Sequence, residues 1–349
     1  MKKPIIIDGR EVGENYPPYV IAELSANHNG VLEKALNTIS EAKRCGAHAI
    51  KLQTYSADTM TIDCDAEDFL INGGLWDGYQ LYQLYQEAQT PFSWHRQMFE
   101  HARKVGITCF STPFDETAVD LLEELNTPAY KIASFEATDI PLIKYVASTK
   151  KPMIVSTGMA DLQEIEEMIE VAKGAGCEDL IVLHCISSYP APIDQSNLRT
   201  IIDLRERFGV QVGLSDHTVT NTASVVAIAM GASLIEKHFI LDRDDKGPDS
   251  SFSIMPEELE RLCKDTKDAW LSMGHVGYDR KEAEKGNVKF RRSVYFVKNL
   301  KAGEVITPDS IRRIRPGYGL APKFESEILG RRLKSDVKVG TATSWELID

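Results

Sequence analysis

The chain has no surplus of positive charge: 52 acidic side chains outnumber 40 basic ones, for a formal charge of −12. Nucleic acid and anionic membrane surfaces therefore exert no general attraction on it, and an anionic ligand must be held by local lysines and arginines. No apolar stretch reaches the roughly 20 residues that cross a bilayer. The basic start MKKP is followed by a short apolar run that Asp8, Gly9 and Arg10 break at once, which is not a signal-peptide pattern. The cysteines, at 45, 64, 109, 177, 185 and 263, have neither C-x-x-C spacing nor a Cys/His zinc pattern. Without an export signal they read as reduced thiols of a cytoplasmic protein, and Cys109 and Cys185, inside strand-like runs, are expected to pack in the core. A G-x-G-x-x-G fingerprint is also missing after the first such run, which counts against an open dinucleotide-binding sheet.

What is present is a rhythm. The runs YVIAEL, AIKLQT, ITCFST, AYKIAS, MIVST, LIVLHC, VQVGLS and LIEKHF start near residues 19, 49, 107, 129, 153, 180, 210 and 234. Each leads into an amphipathic helical segment, and most starts are 22 to 30 residues apart, the length of one strand plus a crossover helix. Eight such units predict an α/β fold, a closed (β/α)8 TIM barrel, over residues 1–273. The opening PIIIDGREVG reads as a small hairpin ahead of it, placed to plug the barrel bottom. The one long interval holds an insertion, roughly Tyr55 to Pro91, hung from a strand end; it is either a lid or specificity loop, or a surface excursion with no ligand role. After a helix at 256–273, residues 274–292 read as a polar linker and 293–349 as a small β-rich domain. That domain is near the size at which a lone core is marginal, so it is expected to lean on something.

In a barrel, side chains at the carboxyl ends of the strands share one mouth. Here they are Glu23 with Asn27 and His28; Lys51 and Gln53; Ser111 and Thr112; Lys131, Ser134 and Glu136; Ser156 and Thr157; Ser187 and Tyr189; Ser215 and His217; and Glu236, Lys237 and His238. His217 and His238 lie 21 residues apart, one strand–helix–strand unit, so both imidazoles are expected on the same rim as a candidate metal clamp. Two histidines with water suit an oxygen-loving divalent ion of the manganese type, since a structural zinc site takes four protein ligands. Two lysines and a ring of hydroxyls suit a small, strongly anionic ligand such as a phosphorylated carboxylic acid. Glu23 and Glu136 remain for acid–base work or hydroxyl binding. One lysine could instead form a Schiff base, although a metal-polarised carbonyl solves the same problem.

The ordered motifs IAELSANHNG, KLQTY, STPFD, YKIASFE, STGM, HCISSYPAP, GLSDHT and IEKHF…GPD resemble the sialic acid synthase family, enzymes that condense phosphoenolpyruvate with an N-acylated amino sugar. The final segment, with KAGEVIT and RPGYGLAP, resembles the antifreeze-like (SAF) domain of that family. The insertion INGGLWDGYQLYQLYQEAQTPFSWH is most similar to the pseudaminic acid synthase branch, which acts on a 2,4-diacetamido-2,4,6-trideoxyhexose of the altrose type. The resemblance implies His217 and His238 as metal ligands, with Mn2+ favoured over Mg2+ or Co2+. It implies Lys51, Thr112, Lys131, Ser134, Ser156 and Ser215 around phosphoenolpyruvate, and Glu23, Gln53, Glu136, Tyr189 and Asp249 facing the sugar. Arg315 of the RPG motif is implied to reach an acyl group of the sugar from the small domain of a partner, in a domain-swapped homodimer. Ser187 stands where sialic acid synthases carry asparagine, a shorter polar group that fits the pseudaminic branch better.

The chemistry implied is attack of phosphoenolpyruvate C3 on the open-chain sugar aldehyde, addition of water at C2 with Glu23 as the first choice of base, and loss of phosphate by C–O cleavage. The alternatives are an N-acetylneuraminic or legionaminic acid synthase with the same chemistry, a metal-dependent sugar isomerase or Schiff-base lyase, and an ice- or glycan-binding protein. The last leaves eight polar strand ends without a task.

Overall fold

Residues 3–349 are described by the computed structural model. Two short strands, β1 (Ile5–Ile7) and β2 (Arg10–Val12), pair antiparallel around a turn in which Asp8 and Gly9 both hold positive φ. Eight parallel strands follow: β3 (Tyr19–Glu23), β4 (Ala49–Thr54), β5 (Thr108–Pro113), β6 (Tyr130–Ile132), β7 (Met153–Ser156), β8 (Leu180–Cys185), β9 (Gln211–Ser215) and β10 (Leu234–His238). The order β10-β3-β4-β5-β6-β7-β8-β9 closes on itself, as the eight apolar runs predict. These strands read as continuous apolar runs because both faces are covered, one by the barrel interior and one by the helices.

Successive side chains on a strand point to opposite faces, so each strand splits into an outward and an inward set. Val20, Ala22, Ile50, Leu52, Val155, Val182 and Ile235 pack outward in one large cluster with helix residues such as Ile39, Phe99, Ile143, Met168 and Ile228. Tyr19, Ile21, Ala49, Phe110, Ile154, Ile181, Leu183 and Leu234 form a second, interior cluster, joined by Ile5, Ile7 and Val12 of the hairpin. The hairpin therefore does close the amino-terminal end of the barrel interior. Ile7 and Val12 are fully buried there, each contributing roughly 1.5–3 kcal/mol by leaving water. Continuing the inward set one step toward the carboxyl ends replaces the apolar residues by Glu23, Lys51, Thr112, Lys131, Ser156, Cys185, Ser215 and Glu236, all buried. Gly213 occupies an inward position where a Cβ would collide with the Leu234 carbonyl and the Leu183 side chain, so nothing larger fits between the two layers.

The first unit, Met1–Gly274, ends with the helix Pro256–Met273. Its insertion contains two helices, Ala57–Met60 and Leu81–Ala88, and a 3-10 turn at Glu67–Phe69. The second unit, His275–Asp349, pairs β11 (Ser293–Phe296) with β12 (Ile311–Ile314) and packs Val294, Phe296, Ile306, Ile311, Ile328, Leu333, Val337 and Ile348 into a core of its own. Among the described residues, no helix is long and apolar enough to cross a membrane.

Candidate active site

Strand register brings the polar layer together. Glu23 is paired in register with Lys51 on one side and His238 on the other, and Ser215 lies between Cys185 and Glu236. The Lys51 ammonium sits 2.7 Å from Glu23 and 3.7 Å from Glu236, and donates to Thr112 Oγ1 at 3.1 Å. Lys131, from β6 across the barrel, reaches the same Glu236 oxygen at 3.7 Å and donates to the Ile132 carbonyl at 3.0 Å. Ser215 donates to Glu236 at 3.3 Å. Burial drives each of these groups toward its neutral form, and the pairs decide which stay charged. Burial alone would lower Lys51, but Glu23 and Glu236 hold it above the usual lysine range. Lys131 is lowered by burial, and Glu236 only partly offsets this. Glu236 stays below the usual carboxylate range because Lys131 and Lys51 outweigh its burial, whereas burial wins at Glu23 and raises it.

A cavity of about 420 Å3 opens above this cluster, lined by Glu23, Lys51, Gln53, Lys131, Ser134, Glu136, Ser156, Tyr189, Ser215, His217, His238 and Asp249 among others. Gln53 donates to Glu23 at 3.1 Å and to the Ser25 hydroxyl at 3.0 Å, and Ser25 in turn donates to Asp249. Ser25 holds a left-handed backbone, φ 49°, uncommon for a residue with a side chain; it links the first strand end to the loop that carries Asp249. Tyr189 packs on His217 with ring centroids 4.4 Å apart, and Phe252 packs on Tyr189 at 5.0 Å and on His238 at 4.9 Å. Several polar atoms round the cavity are buried without a hydrogen-bond partner: Ser156 Oγ, Glu136 Oε2, Glu236 Oε2 and His238 Nδ1. Buried polar atoms are normally satisfied, so such a cluster marks a place built for a polar ligand. Burial also pushes the Glu136 carboxyl up to about 7.

The two imidazoles are 5.4 Å apart, centroid to centroid, and both face this cavity. His217 Nδ1 lies 3.0 Å from the Ile186 carbonyl, and burial holds His238 well below the usual histidine range, which keeps it neutral. The neutral His238 imidazole, with its unpartnered buried Nδ1, suits a divalent cation, whereas at His217 burial is outweighed by the neighbouring Cys185, which raises it above the usual histidine range. Among the described residues, no group of three or more His, Cys, Asp or Glu side chains gathers around one point, so water and substrate would have to supply the rest of a metal's ligands.

Several predicted rim residues turn elsewhere. Lys237 points outward, where it pairs with Asp216 at 2.9 Å, because it alternates with the inward Glu236 and His238. Ser111 likewise faces outward and bonds Thr54 at 2.6 Å. Asn27 donates to the Phe239 carbonyl and Ser253, and His28 meets Thr90 at 3.1 Å; both fasten loops. Thr112 lies beneath the cavity, touching Lys51 rather than the open space. Ser187 sits beside Gly158 and Ser134, behind the lining. Arg315 belongs to the second unit, directly after β12. Two functional candidates lie outside the strand-end set: Ser25, and Cys185, whose sulfur is 3.8 Å from His217 Nδ1; Glu236 belongs to that set but without an expected role, and both lysines share it. Inward parity with Lys51 and Ser215 is the sequence signal for Cys185; Ser25 carries none.

The family model described as the NeuB family matches residues 38–278, and that of the SAF domain matches 291–348. A pseudaminic acid synthase of Campylobacter jejuni subsp. jejuni serotype O:2 is 45% identical over 324 residues, 93% of this chain and 94% of that protein. A pseudaminic acid synthase of Helicobacter pylori is 42% identical over 335 residues, 95% of this chain and 98% of that protein. Among solved structures, the N-acetylneuraminic acid (sialic acid) synthetase from Leptospira borgpetersenii serovar Hardjo-bovis, in complex with citrate, superposes with a TM-score of 0.74 at 30% identity, covering 82% of this chain and 96% of that one.

Proposed function

From the premise that this chain belongs to the NeuB family and carries a SAF domain, we propose that it condenses phosphoenolpyruvate with a 2,4-diacetamido-2,4,6-trideoxyhexose of the altrose type, giving pseudaminic acid and phosphate. The observation that carries the reading is the likeness to pseudaminic acid synthases along almost the whole chain. The site's chemistry supports it. Lys51 and Lys131 are two ammonium groups in a cavity where burial leaves charge poorly screened, suited to the phosphate and carboxylate of phosphoenolpyruvate. Ser134, Ser156 and Ser215 add hydroxyls around the same anion, with Thr112 supporting Lys51 from below.

The sugar lies against Gln53, Glu136, Tyr189 and Asp249, its open-chain aldehyde toward the histidines. Phosphoenolpyruvate C3 forms a bond to that aldehyde carbon as the C=O π bond opens, the aldehyde oxygen takes up a proton from solvent to become a hydroxyl, and positive charge develops at C2. Glu23, whose raised proton affinity suits a general base near neutral pH, takes a proton from the water that adds to C2. The C2–O bond to phosphate then breaks, phosphate leaves with the bridging oxygen, and the water oxygen stays on C2, its remaining proton passing to solvent as the ketone forms. A divalent ion held by His217 and His238, with manganese the first choice, supplies Lewis-acid polarisation of the aldehyde when bound. The reading extends to a cytoplasmic homodimer in which Arg315 of one copy touches an acyl group of the sugar held by the other.

Heavy-oxygen water tests the chemistry, and paired acceptors test the sugar. Phosphate release must require both substrates, the released phosphate must be free of label, and the altrose-type sugar must turn over faster than N-acetylmannosamine. Label in the phosphate means P–O cleavage and overturns the scheme.

A further inference from the structure

The cavity has two unlike halves. Its floor is the charged layer of the barrel strands; one side wall comes from the insertion, through the aliphatic side chains of Met60, Ile71, Leu81, Leu84 and Ala88. The insertion is tied to the far side of the mouth, since Trp76 Nε1 donates to the Pro248 carbonyl at 3.2 Å, next to Asp249, and its ring packs on Tyr189 at 5.9 Å. The indole N–H is thereby occupied. Tyr55 and Tyr85 meet edge to face, 5.9 Å between centroids, at one corner of the wall. Phosphoenolpyruvate has no apolar group that would use such a wall, and a fully hydroxylated sugar would lose hydrogen bonds to water against it without replacing them.

We propose that the aliphatic wall of the insertion is the acceptor-specificity element and that it receives methyl groups, in particular the C6 methyl of a 6-deoxy amino sugar, so that acceptors with a C6 hydroxyl are rejected there. This rests on the reaction proposed above and deepens it: the insertion selects a methyl-bearing acceptor, while the strand ends perform chemistry common to any acceptor. Leu81 and Ile71 are the diagnostic positions, because both are only partly buried in the protein's own core and both line the cavity. An apolar pocket rejects an added hydroxyl by a limited factor, about 10- to 100-fold.

The test uses two 2,4-diacetamido hexoses that differ only at C6, methyl or hydroxymethyl, with the full-length protein and its Leu81→Asn, Ile71→Thr and Leu81→Met variants. Phosphate release gives kcat/KM, and calorimetric binding of the C1-reduced sugars, in the presence of phosphoenolpyruvate, gives affinity without turnover. The unmodified protein should favour the 6-deoxy sugar by about 10- to 100-fold in both readouts. Leu81→Asn and Ile71→Thr should each reduce that preference at least fivefold, while Leu81→Met keeps it. A preference near unity in the unmodified protein, or one unchanged in both polar variants, overturns the assignment. Phosphate release that fails for every sugar while the binding preference persists removes the condensation reading and leaves the wall assignment standing; turnover without preference does the reverse.

Discussion

Lys237 Nζ lies 2.9 Å from Asp216 Oδ2 on the outer side of the barrel wall, and each of these residues is the chain neighbour of a histidine that faces the cavity. The lysine also donates to the Thr218 and Thr220 carbonyls at 2.6 and 3.1 Å, and Asp216 accepts from Ser224 Oγ at 2.6 Å and from the Thr218 amide at 2.8 Å. Both side chains are almost fully shielded from water. One buried pair thus fastens the backbone that aims both imidazoles.

Removing one partner strands a buried charge. Lys237→Met is expected to cost about 3–5 kcal/mol of stability, read by chemical denaturation. Calorimetric titration with Mn2+ should show affinity falling about 10- to 100-fold, whereas a purely structural role would lower stability and leave metal affinity unchanged in the surviving folded protein.

His217→Ala and His238→Ala should abolish phosphate release while the circular dichroism spectrum and melting temperature stay close to those of the unmodified protein. Exhaustive chelation should do the same reversibly, with activity restored by Mn2+. Full activity in metal-free protein would remove the histidines from that role.

Lys51→Ala and Lys131→Ala should each raise KM for phosphoenolpyruvate and lower kcat, for a combined loss in kcat/KM of about 100-fold or more. Lys51 should be the worse of the two, because its loss leaves the buried Glu23 carboxyl without its 2.7 Å partner. Steady-state assays with the sugar saturating separate the two parameters.

Glu136 supplies a pH signature. Burial raises its carboxyl from 4.5 to about 7, so between those values the folded chain holds a proton that the unfolded chain has released. Stability therefore falls as pH rises through that window. Glu136→Gln removes this dependence: melting temperatures of the ligand-free protein should drop less between pH 5 and 7 than those of the unmodified chain. Identical slopes would place the Glu136 carboxyl in water.

Arg315→Ala should raise KM for the sugar and leave KM for phosphoenolpyruvate unchanged, with the dimer intact on size-exclusion chromatography. A monomeric protein with full activity would remove the swapped arrangement.

The barrel was legible because its signal is periodic and local. Runs such as MIVS and LIVLHC are buried on both faces, so they stay apolar until the strand end, and the change to polar residues marks the rim. The histidines and lysines of the site were legible for the same reason: strand parity and spacing carry them. His28 and Asn27 were misplaced because they follow the strand in a loop, where parity no longer applies; their hydrogen bonds to Thr90 and Ser253 come from residues distant in sequence. Lys237 was misplaced by reading IEKHF as a set of rim residues and not as an alternation.

By itself the sequence determined eight parallel strands, their polar ends and the pairing of His217 with His238, because each follows from periods of two and of one strand–helix unit. Only the tertiary structure decided that Glu236 is shared by two lysines from β4 and β6, that Ser25 bridges Gln53 to Asp249, and that an aliphatic wall from residues 55–91 faces the charged floor. Those are contacts across the closed barrel or between loops, and their partners are set by how the ring of strands brings distant ends together, which no local pattern encodes.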